Sequence, residues 1–408
     1  MIDKISILLV GIGGYGENYI RELLLKNNTR DDYRVVGAVD PYPERCSLID
    51  ILRSNNVSVY PSMEDFFKQN SADYAIISSP IQWHVKQTCM ALEQGAGVLC
   101  EKPLSPTVQE GKRMIEAREE AGKPVGIGYQ WSYSKAIQKL KKDIMKGVLG
   151  KPVRLKTLVN WPRDFAYYNR NSWAGRIKDD RGNWVLDSVA NNATAHYLHN
   201  MLYILGDSIN SSSDVKSLSA ELYRANNIEN YDTAAARIKT ADDVELLYLV
   251  THATYETTNP RFCYQFENAV VYFDNDRENN IVAEFDDGSK KEYGDPFKDK
   301  FRKTWVILDV IKGNVRNPCG PEAALPHVIC INGMQEVAQV IDFPDELIKK
   351  KRHENGLEIA NYVQGLEQVM LECYRNWQLP HEAGVEWAVP GKEIDLKNYS
   401  HFDIMFFR

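Results

Sequence analysis

The stretch Ile5-Ser6-Ile7-Leu8-Leu9-Val10-Gly11-Ile12-Gly13-Gly14-Tyr15-Gly16 decides the fold. Six residues dominated by apolar side chains read as a buried strand, a G-x-G-x-x-G run breaks it, and residues 14–27, with Ile20, Leu23 and Leu24 on one face, read as a helix. Strand, glycine turn and helix in this order open a βαβ unit of the kind that cradles a pyrophosphate. Gly11 permits the tight turn, Gly13 lets the backbone approach the phosphates, and Gly16 lets the helix pack close to the strand. Ile12, Gly14 and Tyr15 complete the loop, and the positive end of the helix faces the anion.

Working outward, further strand-like runs fall at 34–39, 73–78, 97–100 and 124–128, with helical patterns between them. In the helix expected over 105–121, Ser105 serves as N-cap, Pro106 as first-turn proline and Gly122 as stop. Strands alternating with helices need crossover connections, which implies an α/β fold with a Rossmann-type, doubly wound parallel sheet. Asp40 ends the second strand, in place to hydrogen-bond an adenosine ribose. A carboxylate there repels a 2′-phosphate by about 3 kcal/mol per unit charge at an effective dielectric of about 20, so NAD is expected and NADP disfavoured. The alternative is that Asp40, followed by Pro41, merely caps a turn.

Two motifs follow: Ser79-Pro80-Ile81-Gln82-Trp83-His84, and Gly95-Ala96-Gly97-Val98-Leu99-Cys100-Glu101-Lys102-Pro103. With them the chain resembles the Gfo/Idh/MocA oxidoreductases, the glucose–fructose oxidoreductase and inositol dehydrogenase group. The resemblance is tight over residues 1–150, looser over 151–260 and weak beyond. It implies that Ser79, Pro80, His84, Glu101 and Lys102 line the cofactor site, and that the Lys102–Pro103 peptide is cis. Lys102 would sit at the carboxyl end of a parallel strand, where such sheets bind ligands, and its ammonium would stabilise a developing alkoxide. Without the resemblance, a surface Lys102–Glu101 pair is the simpler reading. His84 would begin a helix beside the nicotinamide, in a chemical or a packing role.

After residue 128 the pattern changes. A linking helix is expected at 134–146, then strands at 153–161, 213–224, 231–239, 244–253, 261–267, 269–274 and 280–285, with helices at 190–205, 320–341 and 356–377. This reads as an α+β domain with a large, mostly antiparallel open sheet, giving two domains, 1–128 for the dinucleotide and 129–408 for substrate binding and oligomerisation. The resemblance agrees, with helices on one sheet face and often an oligomer interface on the other, so a homodimer or homotetramer is expected.

The segment Arg163-Asp164 … Tyr167-Tyr168 … Ser172-Trp173-Ala174-Gly175 resembles the loop that precedes the family's catalytic residues. Aromatic faces suit the C–H faces of a sugar, and Arg163, Asn171 and Trp173 are candidates to hold it; an aromatic patch closing a seam is the alternative. Next comes Asp187 … Asn191-Asn192 … His196 … His199 … Gly206. Registered on Gly206, the family's catalytic histidine falls on His196, with Asn192 and His199 where its two aspartates stand. Registered on Gly182 and Asp187, Asn191 takes the histidine's place and the base is lost. The first register makes His196 the general base, Asn192 a substrate-orienting amide, and His199, three residues on, a second hydroxyl ligand or the true base. No third ligand accompanies the two histidines, so no metal is expected. His252, on a strand, is a further candidate to face the site, with core packing the plainer role.

Composition bounds the partners. The 408 residues carry 49 Lys and Arg against 56 Asp and Glu, a net charge of −7. Clustered positive charge for nucleic acid or an anionic membrane is lacking, and no apolar run reaches the roughly 20 residues needed to cross a bilayer. Seven cysteines without a C-x-x-C pair argue against a disulfide framework, and a chain without a secretory leader reads as cytoplasmic. The expected function is hydride transfer to NAD from a secondary alcohol of a sugar, inositol or related polyol. A redox-neutral glycosidase or epimerase using NAD transiently, and a non-catalytic dinucleotide-binding regulator, are the alternatives.

Overall fold

The computed structural model describes residues 4–26 and 30–403. Their contacts divide the chain into two compact units. The first takes residues 1–105, 110–133 and 300–325, and the second 106–109, 134–299 and 326–408. Where the sequence suggests a single cut after residue 128, segment 300–325 thus groups with the first unit.

The first unit is built on β1 (Ile5–Val10), β2 (Tyr33–Val39), β3 (Val59–Tyr60), β4 (Tyr74–Ile77), β5 (Gly97–Cys100) and β6 (Val125–Ile127). All pair in parallel in the order β3-β2-β1-β4-β5-β6, the doubly wound arrangement whose order reverses between β1 and β4. β1, β4 and β5 are apolar on both faces, and nearly every residue in them is buried, as strands covered by helices on both sides must be. The short β3 carries no periodic signal and was beyond the pattern reading. The helix expected at 105–121 begins at Val108 instead; Ser105 is fully buried and lies before the first turn.

The second unit carries β7 (Pro152–Asn160), β8 (Val215–Arg224), β9 (Thr233–Thr240), β10 (Glu245–Thr251), β11 (Thr258–Phe266), β12 (Ala269–Asp274), β13 (Glu278–Phe285), β14 (Lys290–Gly294), β15 (Val340–Asp342), the hairpin β16 (Ile348–Arg352) and β17 (Glu358–Val363), and β18 (Glu393–Asp395). The large sheet runs β14-β13-β12-β11-β7-β10-β9-β8-β15, with β18 added beside β8. It is antiparallel except at β7–β10 and β8–β15.

Two helices cover this sheet, one on each face. Ala195–Ile204 is buried along almost its whole length, and Tyr248 of β10 hydrogen-bonds Thr194 at its start (2.6 Å). On the opposite face Leu158, Leu247 and Leu249 pack against Leu366, Met370 and Cys373 of the helix Leu366–Asn376. The helix expected over 356–377 is therefore half wrong. Residues 358–363 form β17, and Ile359 and Val363, which fit a helical face, alternate in a hairpin instead. Likewise the end of the helix expected at 320–341 is the strand β15, because the helix stops at Val337. A short apolar run satisfies both periods, and pairing partners far along the chain decide between them.

Candidate active site

In the first unit, the glycine loop has the shape its sequence requires. Gly11 has φ = 78°, and a Cβ there would lie 2.7 Å from the Ser79 amide nitrogen. At Gly16 a Cβ would lie 2.0 Å from the Gly11 carbonyl oxygen, so only glycine brings the helix this close. Over Gly13 the nearest atom to an added Cβ is 4.0 Å away, which leaves room for a phosphate to approach the backbone. The loop is pinned from both sides: the Gly11 N–H donates to Val39 O at 2.8 Å, and Ser78 Oγ donates to Gly11 O at 2.7 Å.

Asp40 Oδ2 accepts from the Ile12 (3.0 Å) and Gly13 (3.4 Å) amides, and Oδ1 accepts from the Tyr42 amide at 2.8 Å. The turn-capping reading of Asp40 is thus realised, and its carboxylate also closes the glycine loop. The cradle fits a dinucleotide, its glycines leaving the backbone at Gly13 open to a phosphate.

The motifs at 79–84 and 101–103 are locked to each other. His84 begins the helix His84–Glu93 and is 1% exposed. Its Nδ1 is 2.7 Å from Pro103 O and its Nε2 3.0 Å from Ser79 O. A neutral ring carries one proton and so donates to one of these carbonyls at a time. His84 therefore has the packing role, bracing the loop at Ser79–Pro80 against the one at Lys102–Pro103, whose peptide is cis.

Glu101 accounts for the rest of that loop's rigidity. Its Oε1 accepts from Tyr19 Oη and from the ammonium of Lys303, and its Oε2 accepts from the Lys102 amide at 3.2 Å. Lys303, fully buried, also donates to Gly128 O (3.2 Å) and Tyr15 Oη (3.3 Å). Burial works against its charge, but Glu101 and Tyr15 outweigh it and raise its pKa. Glu101, expected at the cofactor, is thus the internal counter-ion of Lys303. Lys102 is half-buried, with its backbone fixed from both sides. Sequence reasoning missed Lys303 because it lies some 200 positions from its partner in a segment without a motif.

In the second unit, Val189–Ala193 forms a single π-type turn ahead of the helix Ala195–Ile204. The two histidines of that helix have different surroundings. His196 is half-buried, whereas His199 is fully buried and stacked on Tyr203 (5.6 Å between ring centres). The expectation that His199 shares a ligand face with His196 is therefore corrected: a side chain without exposed surface does not meet a substrate hydroxyl. Asn191 is also buried, donating to Leu186 O at 3.0 Å, while Asn192 is partly exposed and donates to Asp187 Oδ1 at 2.8 Å.

Asp187, used in the sequence only to test a register, organises this region. It is 2% exposed, and its Oδ2 accepts from the Gly175 amide at 2.6 Å. Leu186 beside it has φ = 51°, a left-handed conformation costly for a leucine and typical of functional sites.

Around the Gly175 loop gather the aromatic and basic residues expected there. The Arg163 guanidinium lies 4.9 Å from the Tyr167 ring centre, and Arg170 lies 3.8 Å from Tyr167 and 5.3 Å from Trp173. His252 is 2% exposed; its Nδ1 pairs with Tyr168 Oη at 3.2 Å and its ring meets Tyr167 edge-on. Burial, then Arg163 and Arg170, press its pKa well down. The second unit thus brings Arg163, Trp173, Asn192 and Asp187 into one connected region with His252 beneath. Among the described residues, no group of three or more His, Cys, Asp or Glu is arranged to hold a metal ion.

A doubly wound parallel sheet with a glycine cradle at its switch point defines a dinucleotide-binding module. Residues 5–129 match the model of the oxidoreductase family with an NAD-binding Rossmann fold, GFO_IDH_MocA. It is similar to an inositol 2-dehydrogenase of Klebsiella pneumoniae subsp. pneumoniae, 26% identical over 211 residues, 51% of this chain and 56% of that protein. It is also similar to a D-glucoside 3-dehydrogenase of Escherichia coli, 29% identical over 124 residues, 30% of this chain and 34% of that protein. The matched regions thus span about half the length of the curated inositol dehydrogenases or less. Among solved structures, the WlbA dehydrogenase of Chromobacterium violaceum, crystallised with NADH and UDP-GlcNAcA, shares the fold. Its TM-score is 0.68 at 21% identity, over 81% of this chain and 92% of that one.

Two outcomes follow from the buried charges. Lys303→Met leaves Glu101 buried without its counter-ion, and denaturant unfolding should show a loss of about 3–5 kcal/mol; a loss below 1 kcal/mol would contradict the pair's role. Secondly, His84, His199 and His252 are held below the ordinary histidine value of 6.5, by burial first in each case. The unfolded chain therefore binds more protons as pH falls, so their stabilisation is complete above about pH 6.5 and declines below it. The melting temperature should drop between about pH 6.5 and 5, and a flat profile would refute neutral burial.

Proposed function

We propose that the chain is an NAD-dependent dehydrogenase acting on a secondary alcohol of a sugar, inositol or related polyol. The observation that carries this reading is the cradle at Gly11–Gly16, closed by Asp40, in the same unit as a Lys102 whose backbone Glu101 and His84 hold rigid. Asp40 favours NAD over NADP, since its carboxylate opposes a 2′-phosphate. A bound nicotinamide supplies the hydride acceptor.

The protein's own residues supply the rest. His196, the accessible one of the two helix histidines, takes the hydroxyl proton, and Lys102 stabilises the oxyanion as it forms. Asp187 fixes the amide of Asn192 by accepting one of its protons, so Asn192 meets a substrate hydroxyl in one orientation. Arg163 and Trp173 offer a cation and an aromatic face to the sugar ring. The named relatives, an inositol 2-dehydrogenase and a D-glucoside 3-dehydrogenase, support a polyol or sugar as the substrate class.

The test is NADH formation against a panel of aldoses, inositols and glycosides. At least one compound should reduce NAD, with NADP weaker. Lys102→Ala and His196→Ala should each lower kcat/KM by roughly 10²–10⁴. Near-full turnover by His196→Ala, or NADP binding at least as tightly as NAD, would overturn the respective assignment.

A further inference from the structure

On the other side of the Tyr168–Arg176 loop the second unit has an open cleft of about 930 Å³, within the range of small-molecule sites. Ser172 and Ala174 line it, while Trp173 between them does not; of the residues named above for substrate or cofactor, Asn171 alone lines it, its Oδ1 taken by the Trp173 and Ala174 amides. We propose that this cleft is a second carbohydrate-binding site, taking a neutral glycosyl unit.

The lining carries the argument. Five asparagines face the cleft, Asn169, Asn171, Asn226, Asn227 and Asn361, together with the ring-bearing Tyr168. Amides that donate and accept, next to an aromatic residue, are what a polyhydroxylated ring needs. Asn226 is the most telling. It is 4% exposed, and the buried carboxylate of Asp232 accepts its Nδ2–H at 2.8 Å and its backbone N–H at 2.9 Å. Asp232 thereby dictates the amide's orientation, and Asn226 Oδ1 has no hydrogen-bond partner in the protein. A buried acceptor left unpaired is costly; Oδ1 itself has almost no exposed surface, so a small shift of the side chain toward the cleft is needed for a ligand hydroxyl to satisfy it.

The charges define the class further. Arg224 is bound to Asp342 (2.7 Å) and Arg176 lies 3.4 Å from Glu229, while Lys350 donates to Asn361 Oδ1 at 2.7 Å. The cleft's cations are thus matched by carboxylates or amides at its own wall, which disfavours a phosphorylated or carboxylated ligand and favours an uncharged one. Its wall is also joined to the substrate region: Tyr168 Oη pairs with His252, and the Gly175 amide donates to Asp187, which holds Asn192.

The experiment is calorimetric titration of the whole protein with methyl β-D-glucopyranoside, cellobiose and maltose, repeated on Asn227→Trp. Asn227 is exposed, so an indole there fills the cleft without touching the core. Saturable binding of at least one probe is expected, weakened at least tenfold by Asn227→Trp at unchanged melting temperature. Binding of none of the three, or binding unaltered in Asn227→Trp, overturns the proposal. Given such binding, turnover with NAD separates the two sources of a glycosyl unit. A rise in KM confined to disaccharides assigns the cleft to the far sugar of a glycoside substrate, and unchanged KM assigns it to a separate saccharide. If no sugar is oxidised, the dehydrogenase reading fails, while the titration still decides the cleft.

Discussion

A lysine and a glutamate shut away from water hold the first unit's functional loops in register. Glu101 immediately precedes Lys102, and Lys303 reaches it from a segment that returns to this unit near the end of the chain. Two such charges are tolerated in a protein interior only when paired and hydrogen-bonded. Here the pair recruits Tyr15 of the glycine loop, Tyr19 of the helix behind it, the Gly128 carbonyl and the Lys102 amide. One electrostatic requirement therefore couples the ends of β1, β5 and β6, the places from which a dinucleotide and its reacting carbon are reached.

The second unit holds two further buried carboxylates with N–H donors, and the Arg170 guanidinium lies 3.9 Å from one of them, Asp187. Asp187 and Asp232 are both about 2% exposed or less, and each accepts hydrogen bonds from backbone and asparagine N–H groups. Burial raises the pKa of Asp232, against the pull of these donors. Both aspartates act on asparagines: Asp187 orients Asn192 toward the proposed substrate region, and Asp232 orients Asn226 at the cleft. A carboxylate accepts and never donates when ionised, so each amide beside it has one orientation rather than two.

What was legible in the sequence was local. Five of the six strands of the first sheet were read within a residue or two, since apolar runs bounded by glycine and proline carry their own signal; β3, two residues long, carries none. The roles of Gly11 and Gly16 follow from the absence of a side chain, and the structure shows the carbonyl and amide atoms that a Cβ would strike. The second sheet's larger strands were equally plain. Residues 356–377 failed because Ile359 and Val363 suit a helix face and a hairpin alike. His199 failed because packing against segments far along the chain buries its ring, which helical spacing does not record.

The sequence by itself determined the doubly wound sheet, the glycine cradle, and Asp40 at the end of β2. These depend on a residue's own backbone freedom and on neighbours a few positions away. Only the tertiary structure decided that Glu101 answers to Lys303, that His196 is accessible and His199 is not, and that Asp187 governs Asn192. Those outcomes depend on which groups lose contact with water together. Desolvation is a property of packed segments far apart in the chain, and no local pattern records it.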